Sequence, residues 1–224
     1  MKRVLILIMA IISNMSINQA CAEALDDVLA KAGYVDVKSI DSEIVVELMY
    51  ARADNFTGKV MYETLTCAYL HPLAAKALKK AQDALKGLNP KLTLKVCDAA
   101  RPMSVQRTMY DAVRGTSKAR YVSNPANGGG LHNYGLAVDI TIVDADGKEL
   151  DMGTHVDFLG PESNIDKEEW LVESGKITPE ARNNRSLLRT VMTAGGWKPL
   201  KSEWWHFNLC TRSQARARYK RLDF

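Results

Sequence analysis

Two short segments hold the side chains best suited to chemistry. The first is Gly128-Gly-Gly-Leu-His132-Asn-Tyr-Gly135-Leu-Ala-Val-Asp139, and the second is Glu203-Trp-Trp-His206. Asp139 stands between Val138 and Ile140 in an otherwise apolar stretch. A carboxylate buried there without a partner is strongly unfavourable. A metal cation would compensate it, and His and Asp are both suitable zinc ligands. Backbone N–H groups or an arginine would also serve, and this segment alone leaves both solutions open.

The second segment adds another imidazole and another carboxylate. On a regular strand, residues three apart point to opposite faces. Glu203 is therefore expected in the turn with Lys201-Ser202, from which its carboxylate can reach a metal held by His206. A carboxylate beside a metal-activated water is the usual general base of a metallohydrolase. His132, Asp139 and His206 supply three ligands and leave a fourth position open, as a catalytic zinc site requires. Hydrolysis also needs a positive group for the developing oxyanion. Arg101 is the candidate, because it follows a strand directly in Cys97-Asp-Ala-Ala-Arg101-Pro102. Trp204 and Trp205 either wall the site or belong to the core. His71 and His155 read as structural or surface residues.

The elements that must position these groups are short and mixed. Residues 43–50 (EIVVELMY), 92–97 (LTLKVC), 136–143 (LAVDITIV) and 204–210 (WWHFNLC) read as strands. A weak amphipathic turn or short helix covers 24–32. The clearest helix is 69–86, with Leu73, Ala77, Leu78, Ala81 and Leu85 on one face, Pro72 in its first turn and Gly87 at its end. Ser104 is placed to cap a helix through about Val113, and Thr178-Pro179 opens another to Ala194, with a shorter one at 166–174. Residues 121–130 read as a loop. There is no internal repeat and no regular βαβ rhythm, which predicts an α+β fold: a small, mainly antiparallel sheet flanked by helices.

Composition agrees with one globular domain. The 224 residues carry 30 Lys+Arg against 26 Asp+Glu, a net charge of +4, with 46% hydrophobic and 25% charged residues. That excludes a disordered tail or a disulfide-dense scaffold. It gives no sign of a nucleic-acid partner, since the one basic stretch, at the C-terminus, is short. Lys2-Arg3, the apolar run Val4 to Ile12 and the Ala20-Cys21-Ala22 pattern read as a secretory signal peptide, residues 1–22, ahead of a single domain at 23–224. The apolar run is too short for a membrane span, so no stable membrane association is expected after cleavage. The expected location is periplasmic or secreted. Cys67, Cys97 and Cys210 remain, either as one disulfide plus a thiol or as three thiols. Oligomeric state is not readable.

The chain resembles the VanX-type D-alanyl-D-alanine dipeptidases, zinc peptidases related to D,D-carboxypeptidases and to the zinc-binding domain of Hedgehog signalling proteins. The family pattern H-x-x-G-x-A-x-D is met by His132, Gly135, Ala137 and Asp139, and E-x-W-H by Glu203, Trp205 and His206. The resemblance extends through Tyr50, Asp54-Asn-Phe-Thr-Gly58, Asp98-Ala-Ala-Arg101-Pro102, Met152-Gly153, Asp157-Phe158 and Asn184-Arg185-Ser-Leu-Leu188-Arg. It implies a Hedgehog/D,D-peptidase-like fold and one Zn²⁺ per chain on His132, Asp139 and His206. It further implies Glu203 as the base, Arg101 as the group stabilising the tetrahedral intermediate, and Tyr50 and Asp157 as holders of the free amino group of a small D,D-dipeptide. Two positions depart from the family: Ala100 replaces a common Tyr, and Gly130 replaces a frequent Ser. The implied activity is hydrolysis of D-Ala-D-Ala in cell-wall turnover or D-alanine scavenging. A peptidoglycan D,D-carboxypeptidase or endopeptidase is the alternative, and a non-catalytic zinc-stabilised binding module is a further one.

Overall fold

The computed structural model describes residues 24–224, so the expected signal peptide lies outside the described residues. In chain order the elements are α1 (Leu25–Lys31), β1 (Val35–Asp36), α2 (Val37–Ile40), β2 (Val45–Val46), β3 (Tyr69–Leu70), α3 (Pro72–Leu88), β4 (Thr93–Asp98), α4 (Met103–Val113), β5 (Ala137–Val143), α5 (Glu168–Glu173), α6 (Pro179–Ala194), β6 (Lys198–Leu200), β7 (Glu203–Asn208) and α7 (Arg212–Arg218). Five strands form one sheet in the order β2-β4-β5-β7-β6, and β1 pairs with β3 in a separate ribbon. Within the five-stranded sheet only the β2–β4 pairing is parallel. Among the described residues no helix is long and apolar enough to cross a membrane.

β5 is the central strand because its residues suit no other place. Ala-Val-Asp-Ile-Thr-Ile-Val is rich in β-branched side chains, and all seven are buried. α3 begins where His71 Nδ1 accepts the Leu73 N–H and Pro72 occupies the first turn. Its buried face is built largely of alanines: Ala74, Ala75, Ala77 and Ala81, with Leu78 and Leu85. Those small side chains let the end of α6 come close. A Cβ on Gly195 would lie only 2.5 Å from the Ala77 carbonyl oxygen. α6 itself opens as expected, with Thr178 Oγ1 accepting the Ala181 N–H and Pro179 following.

Several boundaries differ from the sequence reading. The strand expected over 43–50 shrinks to Val45–Val46, since β2 has a sheet partner on one side only and the chain turns at Met49–Ala51. That turn tucks the Tyr50 ring edge-on against Phe56 and Tyr62. Tyr69-Leu70 leave the long helix to pair with β1, Gly87 lies inside α3, and Leu73 is 48% exposed rather than core-facing. Ser104 is not the cap of α4. Its N–H and that of Met103 donate to the carbonyls of Phe224 and Leu222, so the tail of the chain satisfies the start of this helix. Cys67, Cys97 and Cys210 are all free thiols.

Candidate metal centre and its pocket

Two irregularities in the sheet create the site. Between β4 and β5 the register runs Val96 opposite Ile140 and then Asp98 opposite Asp139, so Cys97 is an extra residue in β4. The bulge turns Asp98 onto the same row as Asp139, and Asp139 in turn pairs with His206 on β7. The second irregularity lies between β6 and β7, where Pro199 faces Phe207 but Leu200 faces Glu203. Glu203 is thus the first residue of the strand and not part of the turn. The slack in the pairing brings Glu203 Oε2 to 3.9 Å from His206 Nδ1, although the two residues are three apart.

His132 arrives from a different direction. It sits in a one-turn helix, Leu131–Tyr134, that Gly135 ends with φ at +62°. Only glycine suits that place: a Cβ would lie 2.5 Å from the Tyr34 ring and 2.9 Å from the His71 nitrogen. Asn133 braces the turn, accepting the Gly130 N–H through its side-chain oxygen and donating to the Arg101 carbonyl. Its own carbonyl accepts the Leu222 N–H.

His132, Asp139 and His206 converge, with one candidate ligand atom from each within 4.8 Å of the others. His132 Nδ1 lies 2.7 Å from the Ala99 carbonyl, to which it can only donate, so Nε2 presents a lone pair. His206 Nε2 donates to Asn208 Oδ1 at 3.0 Å, so Nδ1 also presents a lone pair. These two bare nitrogens are 3.2 Å apart, with Asp139 oxygens 3.3 Å from the first and 2.9 Å from the second. Two lone pairs and a buried carboxylate aimed at one point repel each other unless a cation lies among them, so the donor set fits a metal.

Around this group lies a cavity of about 630 Å³, whose walls include Tyr50, Arg101, Asp157 and Glu203. Burial pushes Glu203 up to about 7, against the pull of His206. Arg101 is buried and anchored. Nε donates to Asp98 Oδ2 at 3.0 Å, Nη2 bonds the same oxygen, Nη1 donates to Gln106 Oε1 at 3.0 Å, and the guanidinium lies 5.2 Å from the Tyr50 ring centre. Asp98 also accepts the Tyr62 hydroxyl at 2.6 Å. Asp157 is the sole non-glycine residue with positive φ among the described residues, at +67°. Its Oδ2 is buried without any partner. Burial and then Asp139 push its pKa well up, while Arg101 and the Tyr50 hydroxyl pull the other way. The left-handed backbone and the orphaned carboxylate oxygen set Asp157 apart from the other residues lining the cavity.

The D-ala-D-ala dipeptidase family profile matches residues 30–222. The chain belongs to that family. The Escherichia coli K12 D-alanyl-D-alanine dipeptidase is 36% identical over 177 residues, covering 78% of this chain and 83% of that protein. The Streptomyces coelicolor D-alanyl-D-alanine dipeptidase is 30% identical over 192 residues (77% and 89%), and that of Enterococcus faecium 28% over 195 (79% and 91%). This family member is a metallopeptidase, with His132, Asp139 and His206 as its candidate metal-holding group.

All seven residues singled out in the sequence line the one cavity: Tyr50, Arg101, His132, Asp139, Asp157, Glu203 and His206. His71 caps a helix, and His155 is exposed with Nδ1 against the Val156 carbonyl, so neither joins the site. Trp204 and Trp205 are fully buried; Trp205 borders the cavity, while Trp204 donates through Nε1 to Thr154. Asp98, Gln106 and Asn208 were not given roles from the sequence. Asp98 carried a signal, as a carboxylate near the end of a strand three residues before Arg101. The parts played by Gln106 and Asn208 depend on folded geometry.

Proposed function

We propose that this chain is an exported, zinc-dependent D-alanyl-D-alanine dipeptidase that hydrolyses D-Ala-D-Ala to two D-alanines in cell-wall turnover or D-alanine scavenging. The observation that carries the reading is Asp157: a buried carboxylate with an unpartnered oxygen, in the same cavity as the metal donor set. Burial opposes the ionised form of this carboxyl, so it becomes an anion when a cation joins it, and a dipeptide's free ammonium supplies one. Tyr50, beside Asp157, completes that end of the cavity. The substrate of a carboxypeptidase continues on its N-terminal side and has no ammonium there to offer. Two imidazoles and a carboxylate with an open position suit zinc. Export rests on the N-terminal sequence pattern, and a Hedgehog/D,D-peptidase-like fold on the ordered motifs.

A divalent cation bound to His132, Asp139 and His206 would acidify a water and polarise the scissile carbonyl. The residues around it then divide the remaining work. Asp157 and Tyr50 anchor the ammonium and so fix which peptide bond faces Glu203. Glu203, raised towards neutrality by burial, takes the proton of the attacking water on its carboxylate and delivers it to the leaving amine. Arg101, held rigid by Asp98 and Gln106, stabilises negative charge developing on the carbonyl oxygen.

The test is D-alanine release from D-Ala-D-Ala by purified protein with zinc, alongside Glu203→Ala and N-acetyl-D-Ala-D-Ala. Release lost in both comparisons is expected. Equal or faster cleavage of the acetylated peptide would instead establish a carboxypeptidase. Zinc binding without cleavage of either would establish a binding module.

A further inference from the structure

The zwitterionic dipeptide has a second charged end, and the pocket holds a group suited to it. Arg212, at the start of α7, lines the cavity, and its Nη2 donates to Ser123 Oγ at 2.9 Å. That hydroxyl is neutral, and among the described residues no carboxylate lies within 4.0 Å of the Arg212 guanidinium. Of the other cavity arginines, Arg101 is bound to Asp98, and Arg120 lies 5.2 Å from the centre of the Tyr121 ring. A second cavity of about 760 Å³ abuts the first and shares Phe56, Asp157 and Leu159 with it. Asp157 thus stands where the two cavities meet, whereas Ser123 and Arg212 border the first alone.

Ser123 is also seated by its surroundings. Its carbonyl accepts Gln106 Nε2 at 2.8 Å, and Gln106 Oε1 accepts from Arg101. Its hydroxyl fills the space that a side chain at residue 130 would need, since a Cβ built on Gly130 would lie 2.8 Å from Ser123 Oγ and 3.3 Å from Ser123 Cβ. Gly130 has an extended backbone, φ −110°, that any residue adopts. What keeps residue 130 small is therefore the serine at 123, and the two positions compete for one hydroxyl-sized place.

We propose that Arg212 and the Ser123 hydroxyl form the carboxylate-binding end of the pocket, making them specificity-determining residues for peptides with a free C-terminus. The guanidinium offers a fork of N–H donors to the carboxylate, and the serine orients that fork and donates its own hydrogen. This inference rests on the dipeptidase reading and deepens it.

The experiment compares D-Ala-D-Ala with D-alanyl-D-alaninamide, which lacks the terminal charge. Hydrolysis is measured with the parent protein, and binding is measured by calorimetry in a Glu203→Gln background. The parent should favour the acid by about tenfold or more, the usual effect of one charge-assisted pair. Arg212→Ala should abolish that preference chiefly through KM, while Arg120→Ala keeps it. Ser123→Gly should weaken the preference, and adding Gly130→Ser should restore it. A parent that treats acid and amide alike overturns the proposal, as does an acid preference that survives Arg212→Ala. Hydrolysis of both peptides at equal rates would remove the subsite and leave the dipeptidase standing. Arg212-dependent binding of the acid without hydrolysis by the parent would do the reverse.

Discussion

Asp98 and Asp139 face each other across β4 and β5, two buried carboxylates in direct register, with the Arg101 guanidinium bonded to the first and 3.6 Å from the second. Like charges placed opposite one another destabilise a sheet, so the pair depends on the arginine and on the cation for which the donor set is shaped. Asp98 thus holds Arg101, and Asp139 belongs to the candidate metal group.

Asp98→Asn should therefore act at a distance from the substrate. It keeps the shape and leaves Arg101 buried without its counter-ion, which costs about 3–5 kcal/mol. Urea unfolding should show that loss. The kcat should fall more than KM rises, because the misplaced group acts on developing charge. An unchanged unfolding midpoint would show that Arg101 finds another partner.

Asp157→Asn separates binding from folding. Asparagine tolerates the left-handed backbone at φ +67° and needs no counter-charge when buried. Thermal stability should hold or rise. The kcat/KM for the free dipeptide should fall by about 100-fold or more, in line with 2–5 kcal/mol for one partner of a buried charge pair. Discrimination against the acetylated peptide should vanish. Retained discrimination would place the ammonium elsewhere.

Asn208→Ala tests the tautomer of His206. Without the acceptor at 3.0 Å, nothing selects the form with Nδ1 bare. Competitive chelator titration should show metal affinity about 10–100-fold weaker, the usual effect of losing such a support. Equal affinity would mean that the metal itself suffices to orient the ring.

Gly135→Ala should be severely destabilising. It combines a left-handed backbone with a clash against a ring and a backbone nitrogen, together about 2–4 kcal/mol. For a chain of this length that is a fall in Tm of very roughly 5–15 °C. Calorimetry decides, and a fall under a degree would show that the turn can be remade.

Alkaline stability follows from Tyr34, whose pKa burial raises to about 12. The unfolded side chain titrates near 10, so the folded state holds the proton more tightly. The stabilisation this brings is whole below about pH 10 and is lost as pH rises through about 12. Melting temperature should drop across that window, and Tyr34→Phe should make the drop shallower. An identical slope in the variant would assign the loss to Tyr50 and Tyr62, which burial shifts in the same direction.

Much of the site was legible because its chemistry sits in short segments. His132, Asp139, Glu203 and His206 are unusual residues in unusual company, and Asp139 announced itself as a carboxylate in an apolar run. α6 was legible because Thr178 and Pro179 are local signals. The bulge at Cys97 and the slipped pairing at Glu203 were not, because register is set by contacts between strands. The same holds for α4, whose first N–H groups are satisfied from residues 222 and 224. No window around Ser104 contains that information.

The hydrogen bond from the Leu222 nitrogen to the Asn133 carbonyl joins points 89 residues apart in the chain and closes behind the turn that carries His132. A ribosome releases these partners at well-separated times, and β7, with His206 and Glu203, emerges late as well. Fragments of this protein that stop short of β7 would hold one imidazole and one carboxylate of the donor set and neither of the other groups. The candidate donor set is therefore complete only once β7 is in place.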